Sequence, residues 1–556
     1  MRVHSKLTLA NLLKWVAVGL AIFQLYTAGF GVFPNVIQRS IHIGVVLILA
    51  FGMSKVDIKE KYEIKGNLWI GILMALASLL TLYTVINYEK IVTNINSIAM
   101  IDKIIAVLYL LLILEGARRV IGWFFPLMLM VFVTYPFIPG LPGPLNHGGF
   151  SFNLVAEQLY MGTTGFWGTV TGISATVIAI YVIFGSLLLG LGGGEVFVDL
   201  AKAAGRSVGG PAKISVIASA IFGSINGTVP ANVATTGAFT ISMMKRLGYK
   251  PEFAAAVEAT ASTGGQVLPP VMGAGAFIMA ELLGVPYLSI AAAAAIPAIL
   301  YFVACYAGVH FEAKKSNYKG LNEEEIPKMK DVLKIDRSIP ALVPLFTLIY
   351  LIIAGYSPIK AGFWAIVIMI FFYIVFCRNM TDLKELLLKI ITSLEDGGKG
   401  LVMVVPLVLV AQTITSIIGL TALGMRFSEL LMSFSGGIPL IGLFLGMVIV
   451  IILGMGVSTV AAYILGASIV APSLVGLGVP ALSAHLFIFF FAALSNITPP
   501  VCSGVFVGAA IARANWFKSA LIAMQLGIAG YITPYCSYIN LNYYQLAKLS
   551  QLFGRQ

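Results

Sequence analysis

Charge is what this sequence has least of: Asp, Glu, Lys and Arg make up 10% of its 556 residues, against 59% hydrophobic ones. Soluble domains carry about 25% charged residues, so the composition excludes an ordinary water-soluble fold. Acidic groups are the scarcer sign, 23 against 35 basic, which leaves a formal charge of +12. The basic residues are scattered through short loops between apolar runs and are not massed on one polar face, so no nucleic-acid partner is expected. The four cysteines (Cys305, Cys377, Cys502, Cys536) lie far apart without CxxC spacing, which argues against a disulfide frame or a thiolate metal site. No GxSxG, HExxH or P-loop occurs, and nothing points to hydrolysis, ATP use, an enzyme or an organic cofactor.

What remains is apolar sequence in runs, with a mean hydropathy of +0.96. This is the composition of an all-α polytopic membrane protein. Residues 1–8 precede an apolar run from Leu9 to Phe30 that has no small-residue cleavage site and reads as a retained span. Further spans are predicted near 40–53, 67–87, 102–117, 120–138 and 168–191, with an interfacial arm at 152–163. Lys55, Lys59, Lys61, Lys65, Arg118 and Arg119 fall in alternate loops, which puts those loops and the N-terminus in the cytoplasm.

Within the apolar sequence the run GSINGTVPAN, Gly223 to Asn232, holds glycines, amides and hydroxyls that no lipid-facing helix would choose. An offset of 230 positions brings it onto GMGVSTVAAY, Gly454 to Tyr463, with Thr228 on Ser458 and Ala231 on Ala461. At the same offset Gly168 meets Gly398, Gly194 meets Gly424, Asp199 meets Glu429, and Pro269-Pro270-Val271 meets Pro499-Pro500-Val501. Recurring Gly and Pro fix the same helix breaks twice, so the chain contains an internal repeat. Each copy has a second interruption, GGQVLPP at 264–270 and LSNITPP at 494–500. The flanking apolar runs of roughly 11 to 15 residues are too short to cross ~30 Å of hydrocarbon alone.

The expected organisation is therefore two re-entrant helical hairpins and two broken transmembrane helices. The domain boundaries fall at 1–115 for the leading helices, 116–310 for the first repeat with hairpin 211–244, 311–337 for a polar linker, and 338–556 for the second repeat with hairpin 438–474. Lys245, Arg246 and Lys250 close the first hairpin, which places its ends in the cytoplasm. The second has no Lys or Arg near its ends and is expected to enter from the outside. An amphipathic arm around Lys384 and Lys389 is expected before a span at 400–421. The count comes to about thirteen crossings, with the C-terminus outside and the repeats inserted in opposite senses, as alternating access requires.

Interrupted segments at matching places in two repeats point to a binding site. Ser224, Asn226 and Thr228 offer oxygens at the first tip, and Ser458 and Thr459 match them, with Ser495, Asn496 and Thr498 in the later break. Several neutral oxygens without carboxylates suit Na⁺ better than a divalent ion. Helix N-termini at the breaks suit an anion. Thr235, Thr236, Gln266 and Asn496 are candidate contacts for a small organic anion, and helix packing is the competing role for them. Glu258 and Glu281 stand opposite Ile488 and Ile511 at the offset, which favours structural pairing or an interfacial position over a proton relay, and His485 reads as a packed or interfacial histidine.

The stretch from Gly223 to Glu281, and the later GMGVSTVAAYILGASIVAPSLVGLGVPALSAHLFIFFFAALSNITPP, resemble the membrane component of tripartite ATP-independent periplasmic (TRAP) transporters. The likeness is strongest to the subtype with fused small and large membrane subunits that works with a TAXI-type binding protein. It implies a monomeric permease of the bacterial inner membrane, surrounded by lipid, taking up an organic acid with Na⁺ in an elevator-type, inverted-repeat mechanism. It also implies Na⁺ positions around Ser224–Thr228 with Gly265 in the facing break, and around Gly454–Thr459 with Ser495 to Pro499. A stand-alone dicarboxylate/Na⁺ symporter that needs no binding protein is the alternative.

Overall fold

A computed structural model describes residues 2–53, 68–94, 98–202, 208–226, 228–318, 320–321, 324, 326–376, 380–455 and 458–539. Within them the side chains of 2–8, 121, 144, 225, 226, 329, 380, 381 and 537–539 are not described. The lysine-rich loop at 55–65 and the C-terminal tail lie outside these residues.

Among the described residues all regular structure is helical. Hydrocarbon offers the backbone no water, so a spanning segment must satisfy its own N–H and C=O groups. Eight helices are long and apolar enough to cross a membrane, and a ninth if Ser503–Ala512 and Trp516–Leu526, bent by 120°, count as one. They include Asn35–Gly52, Leu68–Ile86, Thr169–Gly190, Tyr287–Lys315, Ile335–Ile353 and Pro358–Val375. This is fewer than the sequence count, because Gly273–Leu283 and Ala481–Leu494, beside the interruptions, and Phe124–Phe137 are each too short to count alone, and Met100–Ile121 carries Asp102, Lys103, Glu115, Arg118 and Arg119. One expectation changes: the arm around Lys384 and the following span form a single 42-residue helix, Met380–Thr421. Gly397, Gly398 and Gly400 weaken a helix but do not stop one whose flanks are packed. Gly398 is needed for approach, since a Cβ there would lie 2.2 Å from the Ala17 carbonyl oxygen.

The chain divides into two compact units, Met1–Leu187 with Asn379–Arg426, and Leu188–Arg378 with Phe427–Gln556. In the first, Met380–Thr421 packs against Arg2–Phe30, Asn35–Gly52, Met100–Ile121 and Phe124–Thr134. Gln412 on that long helix clamps a turn: its Nε2 donates to Thr164 O and its Oε1 accepts from Val170 N, both at 3.0 Å. At Gly168 a Cβ would meet the Gln412 amide at 2.1 Å, so a side chain there would displace this clamp.

The second unit holds both interrupted regions. Gly210–Asn226 and Val229–Arg246 pack on each other and on Pro251–Gly265, and Pro439–Gly454 packs likewise on Thr459–Ile469 and Ala481–Leu494. The helix Pro251–Gly265 stops before Gly273–Leu283, and Ala481–Leu494 stops before Ser503–Ala512. Both intervening loops carry a cis Pro–Pro bond, at Pro269–Pro270 and Pro499–Pro500. Packing is reciprocal: Val229–Arg246 lies on Ser503–Ala512, and its counterpart Thr459–Ile469 lies on Gly273–Leu283. Each helix that begins after a polar tip thus meets the helix that follows the more distant of the two interruptions in sequence.

In the second unit a close crossing joins Gly223 to Gly265. A Cβ on Gly265 would sit 2.6 Å from Gly223 Cα and 2.8 Å from Ser219 O, so backbone meets backbone. Gly265→Val is therefore expected to lower the thermal unfolding midpoint of the purified protein by about 1–3 °C, the equivalent in a chain of this length of the ~1–3 kcal/mol that overpacking costs. Gly71→Val, at a site with nothing within 4 Å, serves as the control and should shift it far less.

Candidate functional site

The interruptions bring together residues far apart in sequence. Ser503 Oγ donates to Asn496 Oδ1 (2.6 Å), and Asn496 Nδ2 donates to Thr459 Oγ1 (3.1 Å). Thr459 in turn donates to the Gln266 side-chain oxygen. This chain of hydrogen bonds runs from the later break through the second tip to the earlier break, and Thr459, Asn496 and Gln266 are all buried. Buried amides and hydroxyls in an apolar surround are costly unless bonded, so this network fixes the two breaks against each other.

The other second-tip candidates lie close by. Ser495 Oγ donates to Gly454 O (3.1 Å), and a Cβ on Gly454 would fall 2.4 Å from that hydroxyl. Ser458 is the N-cap of Thr459–Ile469, its Oγ accepting from Ala461 N at 3.4 Å. Thr498 turns to another neighbour, with its hydroxyl 2.6 Å from the Tyr531 phenol, and is not part of the chain through Gln266.

The first tip is built differently. Ser224 Oγ donates back to Ile221 O (2.8 Å), and Thr228 occupies the extended N-cap position of Val229–Arg246 without a capping bond from its side chain. The Asn226 side chain and Gly227 lie outside the described residues. Thr235 and Thr236, adjacent in sequence, point to different surroundings. Thr235 is exposed and bonds to Ala231 O (2.9 Å), whereas Thr236 is buried against Glu258.

Sequence reasoning passed over Asn232. It is fully buried, its Nδ2 donates to Ser219 O (3.0 Å), and its Oδ1 has no hydrogen-bond partner. The signal was its place at the end of the first polar run. Glu258 is surrounded by hydroxyls. His485 bonds to the Tyr463 phenol at 2.8 Å, in keeping with a packed histidine. Asp199 is ion-paired with Lys202 (2.8 Å) and Arg337 (2.7 Å).

Two half-helix starts meet directly, since a Cβ on Gly504 would lie 2.7 Å from the Val229 side chain and 3.2 Å from Asn496 O. Helix N-termini carry partial positive charge and unpaired N–H groups, so this meeting point favours negative charge without Lys or Arg. No group of three or more His, Cys, Asp or Glu that could hold a metal occurs among the described residues.

An all-helical multi-pass membrane protein with paired, reciprocally packed broken helices belongs to the class of membrane transport proteins. Residues 108–543 match the family described as "Tripartite ATP-independent periplasmic transporter, DctM component", and the chain belongs to that family. It is 24% identical over 400 residues to the C4-dicarboxylate TRAP transporter large permease protein DctM of Vibrio cholerae, covering 68% of this chain and 85% of the relative. It is 34% identical over 98 residues to the protein of the same name from Pseudomonas aeruginosa, covering 17% and 23%. It is also 24% identical over 239 residues to the uncharacterized protein y4mL of Sinorhizobium fredii, covering 43% and 55%. The chain spans about half the length of the curated relatives y4mL and YgiK.

The bond between Thr459 and Gln266 should be measurable as coupling. In a double-mutant cycle of Thr459→Val and Gln266→Leu read by thermal unfolding, the pair is expected to couple by about 0.5–3 kcal/mol. Purely additive losses would mean that the two side chains do not act together.

Proposed function

We propose that this protein is the permease of a tripartite secondary transporter, importing a small organic anion with Na⁺ across the bacterial inner membrane. The observation that carries the reading is the reciprocal packing of half-helices in the second unit, Val229–Arg246 on Ser503–Ala512 and Thr459–Ile469 on Gly273–Leu283. A small carboxylate, of the C4-dicarboxylate class that two relatives' names carry, would lie near the Val229 and Gly504 helix starts, within reach of Gln266 and Asn496. A soluble binding protein of the TAXI type would deliver it, and the leading helices, residues 1–115, would correspond to a fused small subunit. The two hairpins, entering from opposite faces, would move with the broken helices as an elevator-like body between a cytoplasmic and a periplasmic gate.

Na⁺ is the coupling ion that the oxygens suit. The orphaned Oδ1 of Asn232 supplies a buried neutral acceptor beside the first tip, where Ser224, Asn226, Thr228 and the Gly265 backbone would complete the shell. Gly454 O, Ser458, Thr459, Ser495 and Thr498 would form the second position. Neutral oxygens replace the hydration shell of a monovalent ion without the charge a divalent ion demands.

Two experiments test this. Succinate uptake into proteoliposomes should require both an inward Na⁺ gradient and the cognate binding protein, and Ser495→Ala or Asn232→Leu should raise the Na⁺ concentration for half-maximal uptake about tenfold, the equivalent of losing ~1.4 kcal/mol. Uptake that persists without a Na⁺ gradient removes the sodium assignment, and uptake by the permease alone favours a stand-alone symporter. Single cysteines at Lys250 and Phe434, both exposed at hairpin ends, should react with a membrane-impermeant thiol reagent from opposite sides of the membrane. Labelling of both from one side rules out the inverted arrangement.

A further inference from the structure

Glu258 lies in the middle of Pro251–Gly265 and is fully buried. Its carboxyl is held by five hydroxyls from three helices. Oε2 accepts from Ser215 (2.5 Å) and Thr240 (2.6 Å), and Oε1 from Ser219 (2.6 Å), Thr236 and Ser262 (3.3 Å). A carboxyl at membrane depth ordinarily faces a cation, because an unpaired buried charge is strongly disfavoured. Among the described residues no Lys, Arg or His is bonded to it.

The charged and titratable groups on the surrounding helices are otherwise engaged or remote in sequence from the nest. Lys213, on the helix that supplies Ser215 and Ser219, lies 3.1 Å from His310 Nδ1 and over the Tyr306 ring. Lys245, on the helix of Thr236 and Thr240, donates to Ala512 O (2.6 Å), and Arg246 follows it in the last turn. On Tyr287–Lys315, Tyr301 donates to Thr260 O (2.8 Å), Cys305 is buried, and Glu312, Lys314 and Lys315 fall in the final turns. His485 on Ala481–Leu494 bonds to Tyr463, and Lys518 on Trp516–Leu526 stands in that helix's first turn. Ser503–Ala512 carries no Asp, Glu, Lys, Arg or His. Glu252 shares the helix of Glu258 but stands in its first turn.

The hydroxyls have a property that a fixed cation lacks. A hydroxyl owns one proton and rotates to suit its surroundings. Thr236 Oγ1 is also 2.8 Å from Asn232 O, and Thr240 Oγ1 3.0 Å from Thr236 O, so each has a second acceptor within reach. With Glu258 ionised, the five hydroxyls can all donate to it. With Glu258 protonated, Thr236 and Thr240 can turn their protons to those carbonyls, and the new carboxyl O–H can donate to a freed hydroxyl oxygen. Both protonation states are thus fully hydrogen-bonded with no backbone movement.

We propose that Glu258 is a proton-carrying site of the transport unit. It binds a proton from water on one face of the membrane and releases it on the other, so that proton movement accompanies the cargo. The O–H bond formed on uptake is the bond broken on release, and no co-reactant is needed. The proposal rests on the secondary-transport reading but not on the sodium assignment.

Two measurements decide it. Infrared difference spectra of the purified protein between acidic and alkaline buffer, taken without any cargo, should show a carboxylic C=O band that Glu258→Gln removes. Ser215→Ala, which keeps the carboxyl but deletes one donor, should shift the frequency of that band. In proteoliposomes with the binding protein, an inward proton gradient should accelerate succinate uptake at least about threefold in the wild type and have no effect in Glu258→Gln. A wild-type spectrum without a band that depends on Glu258, or a variant that keeps the full gradient response, overturns the proposal. If wild-type protein moves no succinate at all, the cargo reading fails, and the infrared measurement still decides the role of Glu258.

Discussion

A peptide group in hydrocarbon must find its hydrogen bond within the protein, and every unusual feature of this chain follows from breaking helices where water cannot repair them. At each break the backbone is interrupted by Gly and Pro, and the freed groups need partners. The chain supplies them with short neutral side chains: Ser495 on Gly454 O, Ser458 on the start of its helix, Asn496 on Thr459. Apolar side chains could not do this. Longer charged ones would have to be desolvated to do it.

The same constraint explains the glycines at the crossings. At Gly223 and Gly265 two helices approach until their backbones touch, and at Gly168 a glutamine amide occupies the space a side chain would take. Without a hydrophobic driving force between helices, such close packing and side-chain hydrogen bonds hold membrane helices together. The hydroxyl nest around Glu258 extends the theme: five small residues on three helices stand where a soluble protein would place one arginine.

Much of this was legible in the sequence. The expected breaks at 264–270 and 494–500 correspond to loops between Pro251–Gly265 and Gly273–Leu283, and between Ala481–Leu494 and Ser503–Ala512. Two helices, Gly210–Asn226 and Val229–Arg246, occupy the stretch 211–244 where a hairpin is expected. Gly and Pro reveal such sites because their backbone preferences are local. The long helix Met380–Thr421 was read as two pieces, because its basic residues and its glycines imitate a boundary that packing overrides. Thr235 and Thr236 were read as equivalents, yet a helix turns adjacent residues about 100° apart, and only the neighbours decide which of the two is buried.

By itself the sequence determined that the chain is apolar and helical, and where its rods are interrupted, since composition, period and Gly/Pro geometry act over a few residues. Tertiary structure alone decided that Gln266 meets Thr459 across 193 positions, that Asn232 keeps an unbonded oxygen, and that five hydroxyls converge on Glu258. Such meetings depend on how helices cross, and one sequence carries no periodic mark of what lies on the neighbouring helix.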